Sequence, residues 1–402
     1  MKRSVFLLAS CLLATIARSQ FKNDNVHFKT IYPSELCKNL QSYTSYLLLD
    51  VRSPGEFADT SRNLNLNIGH LKNAINIDTR EIANRIQEIS AYKDKPVFVY
   101  CSHSQRSRRV SKMLADSGFT KVYNINGGMT ALLLEQANDC LKEMMVSPPG
   151  YKMISPADLC ERLSSPGHYL IDVRPDSVWE RKTNNARWNA LGYLKGTRHV
   201  SMQQLKKDMP AMDKARPVIL TDISGSLAPE AAAMFIENGF RNVSVLVEGI
   251  DRWLNVDRNQ LPCKDLYVPV VSYHIINSFD LDKMKQDKNM LVLDVRSQDE
   301  YLNRHKDAYR NIGHMKNAVH IPATELKGRI GEIASFRSMP VVLYAFSGSP
   351  EAFSAANELV ENGFRNVSVL TGGIFNIRWT AANVAGMKHL NGWIVDVPEE
   401  NR

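Results

Sequence analysis

Short apolar runs alternate with amphipathic stretches along this chain. Leu47 to Val51, Ala74 to Ile77, Pro96 to Tyr100 and Val122 to Ile125 have the length and continuity of strands buried on both faces. Between them lie segments that suit helices: Ser34 to Leu40 following Pro33, Thr79 to Ile89, and Ser107 to Asp116, which stops at Gly118. Strands alternating with helices predict parallel pairing and an α/β class, doubly wound, with a mostly parallel sheet carrying helices on both faces.

The pattern repeats. LLLDVRS at 47–53, LIDVRPD at 170–176 and LVLDVRS at 291–297 place Asp-Val-Arg triplets at Asp50, Asp172 and Asp294, 122 residues apart each time. IGHLKNAINI at 68–77 matches IGHMKNAVHI at 312–321 and, more weakly, YLKGTRHVSM at 193–202. NGFRNVSVL occurs identically at 238–246 and 362–370, with SGFTKVYNI at 117–125. A period of 122 is too long for a solenoid and right for a whole domain. Three tandem domains are expected, near 28–137, 150–257 and 271–383, joined by SPPGYK (147–152) and QLPCKDLYVP (260–269).

The first residues follow a different grammar. Lys2 and Arg3 precede an apolar run from Val5 to Ala17, and Ala17-Arg18-Ser19 has the small residues of a cleavage site. The expectation is a signal peptide at 1–19 and an exported protein, in a bacterial periplasm or secreted. Leu8-Ala9-Ser10-Cys11 also resembles a lipobox, a weaker alternative because the apolar run continues beyond Cys11. Loss of the leader removes three cations and no acid, lowering the net charge from +8 to +5. Nothing resembles a nucleic-acid-binding stripe, and no later stretch has the ~20 apolar residues of a membrane span. Five cysteines remain: Cys37, Cys101, Cys140, Cys160 and Cys263. They cannot all pair internally, and their spacing matches no zinc site. Cys37 and Cys160 hold matching places in SELCKNL and ADLCERL, which points to a shared packing role. A disulfide from Cys140 is compatible with export but is not fixed by the sequence.

Chemistry concentrates where PVFVY hands over to CSHSQR and then to SRRVSKML. In parallel sheets ligands bind beyond the carboxyl ends of the strands. Consecutive N–H groups between strand and helix form an anion nest, and the helix N-terminus adds partial positive charge. A thiol placed there beside Arg106 has its thiolate, the nucleophilic form, favoured. Cys101 is thus a candidate covalent carrier and Arg106 its partner, with Ser102, His103, Ser104, Gln105 and Ser107 as candidate substrate-binding residues. Asp50 with Arg52, and the paired His70 and His314, read as structural.

Cys101-Ser-His-Ser-Gln-Arg106, Asp50-Val-Arg52 with Glu56, and Gly69-His-Leu-Lys-Asn-Ala74 together resemble the rhodanese family, and the resemblance recurs through nearly the whole mature chain. It implies a sulfurtransferase without a cofactor. Cys101 would take sulfane sulfur from a small anionic donor such as thiosulfate and hold it as a persulfide. It would then yield the sulfur to a thiol or cyanide, with Arg106 and the loop amides binding the anion. Ser104 stands where the family has glycine. The loop is one residue shorter than in the related cell-cycle phosphatases, which counts against phosphatase or arsenate reductase activity.

The equivalent positions in the other copies are Asp222 and Ala345, followed by Ile-Ser-Gly-Ser-Leu and Phe-Ser-Gly-Ser-Pro. Both copies are expected to be inactive, Asp222 repelling anions, while Gly225 and Gly348 preserve the loop shape. These copies are left as packing partners of the catalytic cleft or as docking sites for a protein partner. The alternative function is a non-enzymatic sulfur carrier, redox sensor or interaction module.

Overall fold

A computed structural model describes residues 28–135, 139–148, 150–284 and 289–399. The expected leader at 1–19, with Cys11, lies outside the described residues.

The first unit runs β1 (Lys29–Ile31), α1 (Pro33–Gln41), β2 (Leu47–Asp50), α2 (Pro54–Phe57), β3 (His70–Leu71), β4 (Ile75–Asn76), α3 (Ile82–Arg85), β5 (Val97–Tyr100), α4 (Gln105–Asp116), β6 (Val122–Ile125) and α5 (Gly128–Leu134). Five of its strands form one parallel sheet in the order β1-β6-β5-β2-β4. Every residue of β2, β5 and β6 is buried, because helices cover both faces of a parallel sheet. The second and third units repeat this sheet with the same strand order. The α/β class and the threefold repetition therefore hold.

Some local expectations change. β1 pairs with β6 at the sheet edge, where sequence gave no strand signal. The helix expected over Thr79 to Ile89 begins late. Asp78 accepts the Arg80 N–H at 2.9 Å and pairs with its guanidinium, so the first residues turn instead of winding. A single α turn (α3) is then followed by a 3-10 run at Ile86–Tyr92.

Each sheet is followed by a return segment. After the first, α6 (Asp139–Met144) leads into β7 (Met145–Val146), which pairs antiparallel with β3. Tyr267–Val268 pairs likewise with Tyr193–Leu194, and Ile394–Val395 with His314–Met315. The segments read as linkers are thus partly structural: Tyr151–Ile154 opens the second sheet, and Tyr267–Val268 belongs to the return.

Staples fasten these returns. Cys37 on α1 is bonded to Cys140, and Cys160 to Cys263, each pair 103 residues apart. The matching placement of Cys37 and Cys160 therefore marks equivalent disulfides, not a shared packing role. In the third unit the same place is taken by Asp282, whose carboxylate meets His389 at 2.8 Å. One apolar cluster joins Leu36 and Phe98 of the first unit to Leu220 and Phe235 of the second. Another joins Leu159 and Trp253 to Leu343 and Phe353 of the third. Shared cores of this kind hold the three units as one body.

Candidate active site

The Cys101 loop rises from a rigid base. β5 is the central strand, and its last residue, Tyr100, lies level with Asp50 of β2. Asp50 and Arg52 are fully buried and paired at 2.7 Å, and Arg52 also donates to the Gly69 carbonyl at 2.7 Å. The Tyr100 hydroxyl accepts the Leu71 N–H at 3.1 Å, and burial, with Asp50 nearby, keeps its proton on. Structural roles for Asp50 and Arg52 agree with these contacts. His314 bonds to Asp396 at 2.9 Å, whereas His70 packs its ring on Phe57 at 4.3 Å, and its buried Nδ1 meets no partner among the described residues.

Cys101 follows β5 directly. It has no exposed surface and is the free cysteine among the described residues. Its carbonyl accepts the Met129 N–H at 2.8 Å, and that of Ser102 accepts the Thr130 N–H at 3.1 Å, so α5 props the loop from behind. Arg106 reaches back to Glu56 in a two-point clamp at 2.6 and 2.7 Å and donates to Ser102 Oγ at 2.9 Å. Burial alone would raise the Glu56 pKa, but hydrogen bonds from Arg106 and Ser53 outweigh it and hold the carboxylate below its usual range. Arg106 is pushed up chiefly by that same hydrogen bond, and the Glu56 charge adds to the effect against burial. Arg106 is therefore first a brace between α2 and the loop, with its charge turned towards Glu56.

Ser104 has φ of 89°, a region that favours glycine. Its hydroxyl makes good use of the position: it accepts the Gly127 N–H and lies 3.2 Å from Asn126 Oδ1 and 3.0 Å from Asn383 Oδ1. Ser107 is buried and donates to the Ser104 carbonyl at 3.1 Å. Gln105 is exposed and takes no part in these contacts. His103 lies at the rim, its side chain 45% exposed, with Nε2 at 3.2 Å from both Thr130 Oγ1 and Glu248 Oε1.

The second unit shows what this loop does with an anion. Asp222, at the place of Cys101, accepts backbone N–H groups from Gly225, Leu227 and Ala228 at 2.5, 2.5 and 2.9 Å. Their counterparts in the first unit are the amides of Ser104, Arg106 and Ser107. Gly225 has φ of 79°, close to that of Ser104. The expectation that Asp222 repels anions is thus replaced by a simpler one: its own carboxylate fills the nest. The third loop departs in shape. Gly348 is not among the residues of positive φ, and Pro350, which lacks an N–H, begins the helix. Gly348 therefore does not preserve the loop there.

Sequence reading missed the residues that close the site from other units. Glu248 of the second unit meets His103, Asn383 of the third meets Ser104, and the Ala382 carbonyl accepts from Asn126 at 2.5 Å. The one available signal was Glu248 itself, a glutamate where the sister repeats carry Gly127 and Gly372. Among the described residues no cluster has the makings of a metal site, and no helix is long and apolar enough to cross a membrane.

Comparison with known proteins follows the repeats. The rhodanese-like domain family matches residues 33–135, 155–256 and 279–379. An uncharacterized Bacillus subtilis (strain 168) protein, YqhL, is 35% identical over 104 residues, covering 24% of this chain and 74% of the relative. The thiosulfate sulfurtransferase GlpE of Pseudomonas syringae pv. syringae is 33% identical over 101 residues, covering 25% of this chain and 83% of the relative. A tRNA uridine(34) hydroxylase of Cytophaga hutchinsonii is 30% identical over 114 residues, covering 28% of this chain; the chain spans only 33% of that relative. Among solved structures, a thiosulfate sulfurtransferase of Pseudomonas aeruginosa aligns over 94% of this chain and 69% of its own, at 17% identity and a TM-score of 0.24. Each repeat thus carries the family's signature, and the chain belongs to the rhodanese-like family, with three of its domains in tandem.

Proposed function

We propose that the protein is a sulfurtransferase with one reactive centre, Cys101. The thiolate attacks the outer sulfur of an anionic sulfane donor such as thiosulfate. The donor's sulfur–sulfur bond breaks, its electron pair leaves with sulfite, and Cys101 keeps a persulfide. A thiophilic acceptor, cyanide or a thiol, then removes the outer sulfur. The amides of Ser104, Arg106 and Ser107 stabilise the negative charge at each stage. One observation carries this reading: the homologous amides of the second unit hold a carboxylate at the nucleophile's place. Glu56 supports it by fixing Arg106, and hence the start of α4.

Cys101 is sealed in the form described, so the loop must open before a donor enters. The second and third units contact that loop. The leader and the two disulfides support export to an oxidising compartment. The sealed thiol and the strained Ser104 favour a second reading, a sulfur carrier or redox sensor that does not turn over. Turnover with thiosulfate and cyanide, compared with Cys101→Ser, separates the two. Activity lost in the variant supports the enzyme, whereas a stoichiometric adduct without turnover supports the carrier.

A further inference from the structure

The two domains without a reactive sulfur need not be passive, and Glu248 is the clearest sign of it. It caps the last core helix of the second unit, Gly249–Asn255, with φ of 51°. The first and third units place Gly127 and Gly372 at this point, with φ of 73° and 74°. A residue with a Cβ is disfavoured in that region, and such outliers gather where a side chain has a task. The Glu248 carboxylate leaves its own unit to meet His103 Nε2 at 3.2 Å and is backed by Arg252. Burial would push the carboxyl up, but the charge of Arg252 first, with His103, brings it down to about 2. Thr130 Oγ1 stands at 3.2 Å from the same Nε2.

These contacts assign a tautomer. An ionised carboxylate only accepts, so Nε2 carries the proton, and in the neutral ring Nδ1 is the basic nitrogen. A carboxylate held against one ring nitrogen fixes the ring's orientation and leaves the other nitrogen free to accept. The ring is 45% exposed and belongs to the loop that carries Cys101, two residues further on. It is therefore placed to meet an acceptor arriving from solvent.

Resting on the sulfurtransferase reading of Cys101, we propose that His103 is the general base that activates a thiol acceptor and that Glu248 of the second unit positions it. An acceptor thiol, with an ordinary pKa near ~8.5, is mostly protonated at neutral pH. His103 Nδ1 takes its proton as the thiolate sulfur bonds the outer sulfur of the Cys101 persulfide. The bond from that sulfur to Cys101 Sγ breaks, and the electron pair returns to Sγ as thiolate. The product persulfide leaves, and the imidazolium passes its proton to solvent. The acceptor class follows: the site favours thiols, which have a proton to give up, over acceptors that do not.

The test is a single-turnover transfer from the full-length protein. Cys101 is loaded with thiosulfate, the excess is removed, and the persulfide is mixed with glutathione or with sulfite above neutral pH. Intact mass follows its loss with time. About a tenth of a thiol of pKa ~8.5 is already thiolate one pH unit below it, so His103→Ala slows transfer to glutathione by up to about 10-fold and Glu248→Gln by about 3-fold, while transfer to sulfite changes by less than about 2-fold. Free imidazole restores the His103→Ala rate. Glu248→Gly, which restores the backbone preference of the sister repeats, folds and shows the same selective loss. Equal slowing with both acceptors would make these residues merely structural and overturn the proposal, as would an unchanged glutathione rate. If wild-type Cys101 takes up no sulfur, the sulfurtransferase reading fails first and the proposal falls with it. Uptake without acceptor selectivity overturns the proposal alone.

Discussion

Replacing Asp222 by alanine empties the nest of the second unit and exposes its chemistry. Three N–H groups, from Gly225, Leu227 and Ala228, lose their acceptor. A buried donor left dry costs about 1–3 kcal/mol, and water entering the gap recovers part of that. Burial raises the Asp222 pKa despite its three hydrogen bonds, so removing the desolvated carboxylate returns some stability. The balance is a loss of about 2 kcal/mol, or roughly 2–4 °C in thermal midpoint for each kcal/mol in a large domain. The vacated nest then accepts an anion from solution. At 100 times its Kd, thiosulfate or sulfate restores about 2.7 kcal/mol. The assay is thermal unfolding of Asp222→Ala in a Cys101→Ser background, with and without the anion, against Cys101→Ser alone. Anion-dependent stabilisation confined to the Asp222 variant is expected. Equal anion effects in the two proteins would show that the amides form no anion site, and the same geometry in the first unit would lose its meaning.

Glu56→Gln removes the carboxylate from the Arg106 clamp. The pair is partly exposed, so a loss of about 1–3 kcal/mol is expected by urea unfolding, together with slower sulfur uptake. Because the Glu56 pKa is depressed in the folded protein, its contribution is present above the unfolded value near ~4.3 and disappears as pH falls through the folded value. An acid-unfolding profile unchanged in the variant would contradict this. Reducing both disulfides reopens two long loops and lowers stability by up to about 4–5 kcal/mol each; a thermal midpoint indifferent to reductant would refute it. The His389 pKa is raised by its hydrogen bond to Asp282, so that contribution is full below the unfolded value near ~6.5 and is lost as pH rises through the folded one. Asp282→Asn abolishes this slope in stability measured across that window.

Repetition and strand patterning were legible because they are local and periodic. Asp50, Asp172 and Asp294 mark the same strand end at a fixed interval, and continuous apolar runs identify strands buried on both faces. The nucleophile's place was legible because it adjoins the central strand. What escaped depends on contacts distant in sequence. The return segments have short strands whose partners lie some 75 residues back, as Val146 with His70 shows. Cys37 and Cys140 are joined only once α1 and α6 are packed together. Glu248 and Asn383 reach the Cys101 loop across unit boundaries, which no pattern within one repeat reveals. Gly348 misled because glycine tolerates many conformations, and the following Pro350 fixes a different one.

Intact-mass measurement after thiosulfate treatment tests most directly whether a strand-to-helix ring of amides lets Cys101 hold sulfur as a persulfide. Wild-type protein should gain one sulfur atom per chain, on the peptide containing Cys101, and Cys101→Ser should gain none. A wild-type chain that keeps its mass under these conditions, with both disulfides intact, would contradict it.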